Sequence, residues 1–396
     1  MTDAAAAPAR GWRASPDSLI ASFMLAFLAT AGLFYVNIMA AIVTGLIDAL
    51  GVSEREAGFV ASANVYGAAV GALCAVALVR VAPWRPFALA ALMLLIGIDV
   101  ASSLLRDLQT LIAVRAVHGF VGGALVGVSY GVFSRTKSPD RVFGMLLVVQ
   151  FGLGGLGTML LPRLVPVFGS AALFYALAAF SLVALLMLPF LSDYPLEPRK
   201  KDDPARPRIQ FGPLAATLGA VFLFQLANMA LAAYVIELGR RHHLTTEFAS
   251  AAVGASSWVS ILGAVLVVAL GARMGRWRPL LIGMILAVLG TLAFHWSADP
   301  IVYIAANCIT GSAWSFIIAY LLGMAAEFDK GGRSAAAAGF ISKMGLATGP
   351  FVAGVLLETR TYDVLINAAS VALALSAAAM LWPALLSDRR RKEAAP

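Results

Sequence analysis

The stretch QFGLGGLGTMLLP, residues 150–162, decides which kind of fold the chain adopts. Gly152, Gly154 and Gly157 satisfy G-x-G-x-x-G, the spacing that cradles a dinucleotide pyrophosphate. That fingerprint has meaning only after a strand and before a helix of a soluble βαβ unit. Here no strand precedes it. Residues 142–167 are apolar with Arg163 as the only charge, and about 20 such residues cross a bilayer. The glycines therefore belong to a membrane helix. At about 100° per residue Gly154 and Gly157 lie within roughly 40° of Gln150, while Gly152 and Gly155 point away. One group lets a neighbouring helix approach closely, as small residues do in lipid, and the other clears space beside Gln150.

The whole chain shares this solvent. Of its 396 residues 61% are hydrophobic and 13% charged, with a mean hydropathy of +0.87. A soluble domain carries about 25% charged residues. Twelve apolar stretches are long enough to span: about 19–47, 57–79, 86–105, 109–133, 142–167, 170–191, 212–236, 248–271, 279–297, 300–325, 335–357 and 364–386. The expected fold is an all-α membrane protein of twelve transmembrane helices. It divides into a tail (1–18), a six-helix half (19–191), a Pro-rich charged linker (192–211), a second six-helix half (212–386) and a second tail (387–396). The first apolar stretch is too long for a signal-peptide core and reads as an uncleaved span.

Lys and Arg orient the chain. With the N-terminus inside, 21 of the 29 lie in inside segments and six (Arg55, Arg106, Arg163, Arg240, Arg241, Arg360) outside; Arg115 and Lys343 lie within spans. The positive-inside rule then puts both termini in the cytoplasm of a cell with the chain in its inner (plasma) membrane. The net charge of +8 is anchoring charge and needs no nucleic acid. Cys74 and Cys308 fall toward opposite faces, so neither a disulfide nor a metal site is expected.

The halves repeat. A shift of 193 residues lays WRP at 277–279 on WRP at 84–86, Arg273 on Arg80, and KMGL at 343–346 on QFGL at 150–153. Lys343 is thus the repeat mate of Gln150. Two similar membrane halves point to a transporter with a midplane site between them.

Specific residues then resemble the major facilitator superfamily over about residues 19–386. The loop after the second span, Gly71-Ala-Leu73 followed by LVRVAPWRP, is similar to that family's G-x-L-x-D-R-x-G-R-R pattern through Arg80 and Arg85, with Val79 in place of its Asp. The second copy keeps Arg273, Gly275, Arg276 and Arg278. Arg115, Gly119 and Gly122 resemble R-x-x-Q-G-x-G, with His118 where Gln is common; GLATGPFVAG (345–354) resembles the Gly-Pro motif of the family's antiporters, displaced to span 11. The resemblance implies that Arg80, Arg85, Arg273, Arg276 and Arg278 form a cytoplasmic gate, beside the simpler reading of positive-inside anchoring. It also implies that spans 1, 4, 7 and 10 line a central cavity.

Charged groups inside spans cost about 2.5–3.5 kcal/mol each, so each asks for a reason. Asp99 and Arg115 lie eight residues either side of the turn at Asp107, about 12 Å deep, and are placed to pair. The pair is either static cement between spans 3 and 4 or part of the cavity, with Asp99 or His118 exchanging a proton. Lys343 lies about 15 Å in from Arg333 with no carboxylate near it in sequence. Arg115 and Lys343 facing a cavity would favour an organic anion, held by charge-assisted hydrogen bonds. Asn37, Gln150, Gln225, Asn228, Asn307 and Trp314 supply polar faces at helical spacing, readable either as cavity lining or as interhelical hydrogen bonding.

The expected function is proton-coupled symport of a small organic anion, without enzymatic activity, metal or cofactor. The expected partners are a small-molecule substrate, protons and the lipid bilayer, with the chain a monomer. The alternative within transport is proton-antiport efflux of hydrophobic compounds. A non-transporting receptor or scaffold on the same fold would want a signalling or docking domain, for which a 20-residue linker and short tails leave no room.

Overall fold

The computed structural model describes residues 13–78, 83–195, 210–270, 275–328 and 333–393. Eleven of its helical segments are long and apolar enough to cross a membrane. The first half contains α1 (Leu19–Ala31), α2 (Phe34–Asn37), α3 (Met39–Leu50), α4 (Glu54–Leu78), α5 (Trp84–Leu104), α6 (Leu108–Phe133), α7 (Pro139–Phe168) and α8 (Ala171–Met187). The second contains α9 (Phe211–Ala232), α10 (Val235–Arg241), α11 (Thr246–Val259), α12 (Ile261–Leu270), α13 (Trp277–Ala293), α14 (Pro300–Glu327), α15 (Arg333–Thr359) and α16 (Tyr362–Glu393).

Capping residues set many of these boundaries. Ser18, Asp107, Thr245 and Asp299 each accept a first-turn backbone N–H, which satisfies a donor the helix cannot. Gly51, at φ 66, ends α3 in a left-handed conformation that costs glycine least.

The first span departs from the single helix expected over 19–47. It is broken into α1, α2 and α3, and α9–α10 breaks likewise in the second half. The backbone at the two breaks is nearly the same: φ −110, ψ 22 at Ile38 and φ −113, ψ 10 at Tyr234. No proline causes either break; packing does. A Cβ on Gly32, at the start of the first break, would lie 2.3 Å from the Gly122 carbonyl, so α1 and α6 cross backbone to backbone. The span over 248–271 is also interrupted, at Ser260 between α11 and α12.

The core shows how the halves meet. We call the face bearing both tails the terminal face. One hydrophobic cluster joins Leu25–Val165 of the first half to Met229–Leu238, Tyr303, Ala353 and Ile366 of the second, toward the opposite face. A second cluster, including Leu214, Leu280, Tyr320 and Ala384, belongs to the second half alone and lies toward the terminal face.

The opening glycines sit at this junction. A Cβ on Gly155 would meet the Gly254 carbonyl at 2.6 Å, and one on Gly254 would meet the Gly155 carbonyl at 2.5 Å, so α7 and α11 cross between halves. Trp258 Nε1 donates to the Gly152 carbonyl at 3.1 Å. Gly154 and Gly157 instead face Asn37 and Ile38 at the break in the first span. The two groups therefore serve two different partners, one in each half, and the space expected beside Gln150 on the Gly154 and Gly157 side is filled instead by the first span.

Candidate functional site

Bonds between described residues link the halves from the opposite face down to mid-depth. At the face, Arg55 Nη1 binds Glu358 at 2.8 Å, Arg240 Nη1 binds Asp48 at 2.8 Å, and Arg241 Nη2 lies 3.3 Å from Glu54. Tyr362 Oη donates to Glu54 at 2.8 Å. One step inward, Tyr234 Oη reaches the carbonyls of Glu54 (2.8 Å) and Pro350 (3.2 Å). The Gly-Pro stretch of α15 is shaped for this: a Cβ on Gly354 would fall 2.8 Å from Tyr234 Oη, and one on Gly349 2.6 Å from the Ala230 nitrogen. Deepest are Tyr66 Oη to Thr348 Oγ1 at 2.9 Å and the edge of Phe151 against Trp314 at 6.2 Å. Among the described residues no hydrogen bond or ion pair joins the halves at the terminal face.

Lys343 lies five residues beyond Thr348 toward that unlinked side, about 7.5 Å along α15. It is partly exposed and makes no hydrogen bond or ion pair with any described residue. An ammonium at this depth without a carboxylate is costly, so its persistence calls for a ligand. Its neighbours form a polar cluster. Gln225 Nε2 donates to Ser342 Oγ at 2.7 Å, and Trp314 Nε1 donates to Gln225 Oε1 at 2.7 Å. Three spans are thereby tied together: α9, α14 and α15. Gln150, next to Phe151 on α7, is partly exposed across the junction.

The other polar residues are placed differently. Asn228 and Asn307 each donate from Nδ2 to their own helices, at the Phe224 and Tyr303 carbonyls. Asn37 Nδ2 is buried without a hydrogen bond at the break in the first span.

Arg115 is fully buried inside the first half and presents nothing to the space between the halves. Its Nη1 contacts Asp99 Oδ1 at 2.6 Å, and both side chains are 0% exposed. His118 Nε2 lies 3.2 Å from the same oxygen, and Asn64 Nδ2 is 2.9 Å from His118 Nδ1. The guanidinium is packed against Tyr35 and Phe174, with ring centroids at 4.9 and 5.4 Å. Of the two readings open from the sequence, this arrangement matches the pair that joins spans 3 and 4. The physical reason is packing: Gly119 and Gly123 let α6 meet α4 backbone to backbone, which turns the Arg115 face toward α5 and away from the other half.

Of the arginines expected at a cytoplasmic gate, Arg85, Arg276 and Arg278 have the following contacts in or beside their own halves. Arg85 binds Asp193 at 2.8 Å and the Leu191 carbonyl, pinning the start of the linker. Arg276 binds Glu327, and its backbone N–H donates to Asp388. Arg278 stacks on Trp277. Arg80 and Arg273 lie outside the described residues. Sequence reasoning missed the lock on the opposite face, because its partners are far apart in the chain and each looked like an ordinary loop charge.

Two repeated halves, linked on one side and, among the described residues, unlinked on the other, with Lys343 unpaired within its span, fit a secondary transporter. The chain belongs to the major facilitator superfamily, whose family model matches residues 20–354. Among solved structures it is similar to the nucleoside transporter NupG, with a TM-score of 0.69 at 14% identity over 91% of this chain and 97% of that one. A mutant of the same transporter aligns with a TM-score of 0.64 at 14% identity, over 92% and 98%. At this identity the likeness speaks for the fold alone. No curated protein matches the sequence.

Proposed function

We propose that this transporter carries a small organic anion, most plainly a carboxylate, into the cell with protons, through a site centred on Lys343. The carrying observation is the unpartnered ammonium of Lys343 beside the Gln225–Ser342–Trp314 cluster. A carboxylate would supply the counter-charge that the protein does not, and charge-assisted bonds of this type are about twice as strong as neutral ones. Gln225, Trp314 and, across the junction, Gln150 would orient the rest of the solute, with Asn37, Asn228 and Asn307 shaping the space around it. Arg115 contributes indirectly by holding α5 and α6 together. The terminal face is the cytoplasmic one, as the distribution of Lys and Arg argues, so the arrangement described is open inward.

A second reading is a flat, neutral solute such as a nucleoside. It is favoured by the Trp314–Phe151 aromatic pair and the Gln225 amide, and by the substrate of the transporter whose fold this chain shares. The test is purified protein in liposomes with labelled carboxylates, nucleosides and lipophilic cations, each with and without a pH gradient. Gradient-dependent uptake of carboxylates supports the proposal. Uptake of nucleosides alone favours the second reading, and movement of lipophilic cations alone points to efflux and removes the anion site.

A further inference from the structure

The lock on the opposite face contains a buried carboxylate with no part in the Lys343 site. Glu237 lies on α10, beyond the Phe211–Ala232 span, and is 6% exposed. The break at Tyr234 aims α10 at α3, its counterpart in the other half. Arg240 Nη1 sits 2.8 Å from Glu237 Oε1 and 2.8 Å from Asp48 Oδ1, so one guanidinium bridges an acid from each half. Glu237 also lies beside Thr44, one turn before Asp48 on α3. Thr44 Oγ1 is buried without a hydrogen bond. The charged and titratable groups around Glu237 are Arg240 on its own helix, Asp48 on α3, Tyr303 on α14 and Tyr362 on α16.

We propose that Glu237 is a pH-sensing latch of the outer face: it takes a proton from the outer solution and, once neutral, is buried between the halves as that face closes. The proton adds to a carboxylate oxygen, the side chain loses its charge, and the new O–H can donate to Thr44 Oγ1. Arg240 keeps Asp48 as its counter-ion. Opening returns Glu237 to water and its proton to the outer solution, so the latch sets the population of the closed form and carries no proton across.

The direction follows from burial. In the closed arrangement desolvation raises the Glu237 carboxyl above its ordinary value of 4.5; Arg240 works against this and Asp48 adds to it. A group whose affinity for protons is higher in one state favours that state in acid. Closure is therefore supported at low pH and lost as pH rises through the raised value. The inference stands apart from the anion reading above, and its test contains no substrate, so failure of one and failure of the other are separate results.

The test places spin labels at Gln109→Cys, in the first turn of α6, and Ala298→Cys, in the loop before α14, exposed positions at the outer ends of the two halves, with Cys74 and Cys308 replaced by serine. Distances across the outer face are read by electron–electron resonance between pH 4.5 and 8. The open-to-closed ratio is expected to rise by up to tenfold per pH unit, the limit for one linked proton. Glu237→Gln should hold the closed distance at every pH. Asp48→Asn should favour opening throughout and keep the pH response, and Glu237→Asp should also keep it. A wild-type distance independent of pH, an unchanged response in Glu237→Gln, or loss of the response in Asp48→Asn alone overturns the assignment. Should Glu237→Gln fail to fold, the wild-type profile and the Asp48→Asn and Glu237→Asp profiles still decide it.

Discussion

Replacing Arg115 with leucine strands the Asp99 carboxylate in the interior of the first half. The two side chains are 0% exposed and 2.6 Å apart, and no water-facing route lets either leave. Removing one partner of such a pair costs about 3–5 kcal/mol, because the survivor keeps its desolvation penalty. His118, 3.2 Å from the same Asp99 oxygen, can share the charge and should bring Arg115→Leu toward the lower end. Asp99→Leu leaves a guanidinium whose Nε and Nη2 already make no hydrogen bond, so its cost belongs at the upper end. The double replacement removes both charges and should cost less than the two singles combined, with a coupling energy of at least about 2 kcal/mol. Reversible unfolding in mixed detergent micelles measures all four corners of this cycle. Additivity within about 0.5 kcal/mol would refute the static pair and return Arg115 to a role outside the packed half.

Three further outcomes follow from the same contacts. Gly155→Val places a side chain where even a Cβ would meet the Gly254 carbonyl at 2.6 Å, so it should abolish transport in liposomes, while Gly152→Ala, with open space around it, should leave transport intact and stabilise by up to about 1 kcal/mol through helix propensity. Tyr234→Phe loses the hydroxyl that ties Glu54 to Pro350. At about 1 kcal/mol per neutral hydrogen bond it should raise the outward-open population at least fivefold, read as faster thiol labelling of a cysteine at Val52. Arg55→Ala should change the same labelling by less than about fivefold, because its bridge to Glu358 is nearly half exposed on both sides (43% and 45%) and such surface pairs contribute 0–1 kcal/mol.

Local chemistry made much of this architecture legible. Hydropathy located the spans, and equal spacing from Asp107 brought Asp99 and Arg115 to one depth. The angular separation of the glycines between 152 and 157 was legible, but the space expected beside Gln150 is taken up by the first span, which packs on Gly154 and Gly157. What stayed hidden depends on partners distant in sequence. The bends at Ile38 and Tyr234 have no proline to announce them and arise from backbone crossings such as Gly32 on Gly122. Arg240 meets Asp48 across 192 positions, so neither charge advertises the other. Arg115 was readable as an intramembrane charge, but the face it occupies is set by the close approach of α6 to α4. Gly67, Gly71, Gly119 and Gly123 were the available signal: four small residues on two helices, marking a crossing too tight to leave a cavity between them.

The central claim is that Lys343 binds the anionic group of the solute, and removing the charge at that one position tests it most directly. Initial uptake of a transported carboxylate would be measured in liposomes holding wild-type protein, Lys343→Arg or Lys343→Gln, with thermal unfolding confirming that each variant is folded. Loss of one charge-assisted contact of about 1.5–3 kcal/mol predicts a fall of roughly 10- to 150-fold in kcat/KM for Lys343→Gln, with Lys343→Arg partly active. Carboxylate uptake by Lys343→Gln at the wild-type rate would contradict the account.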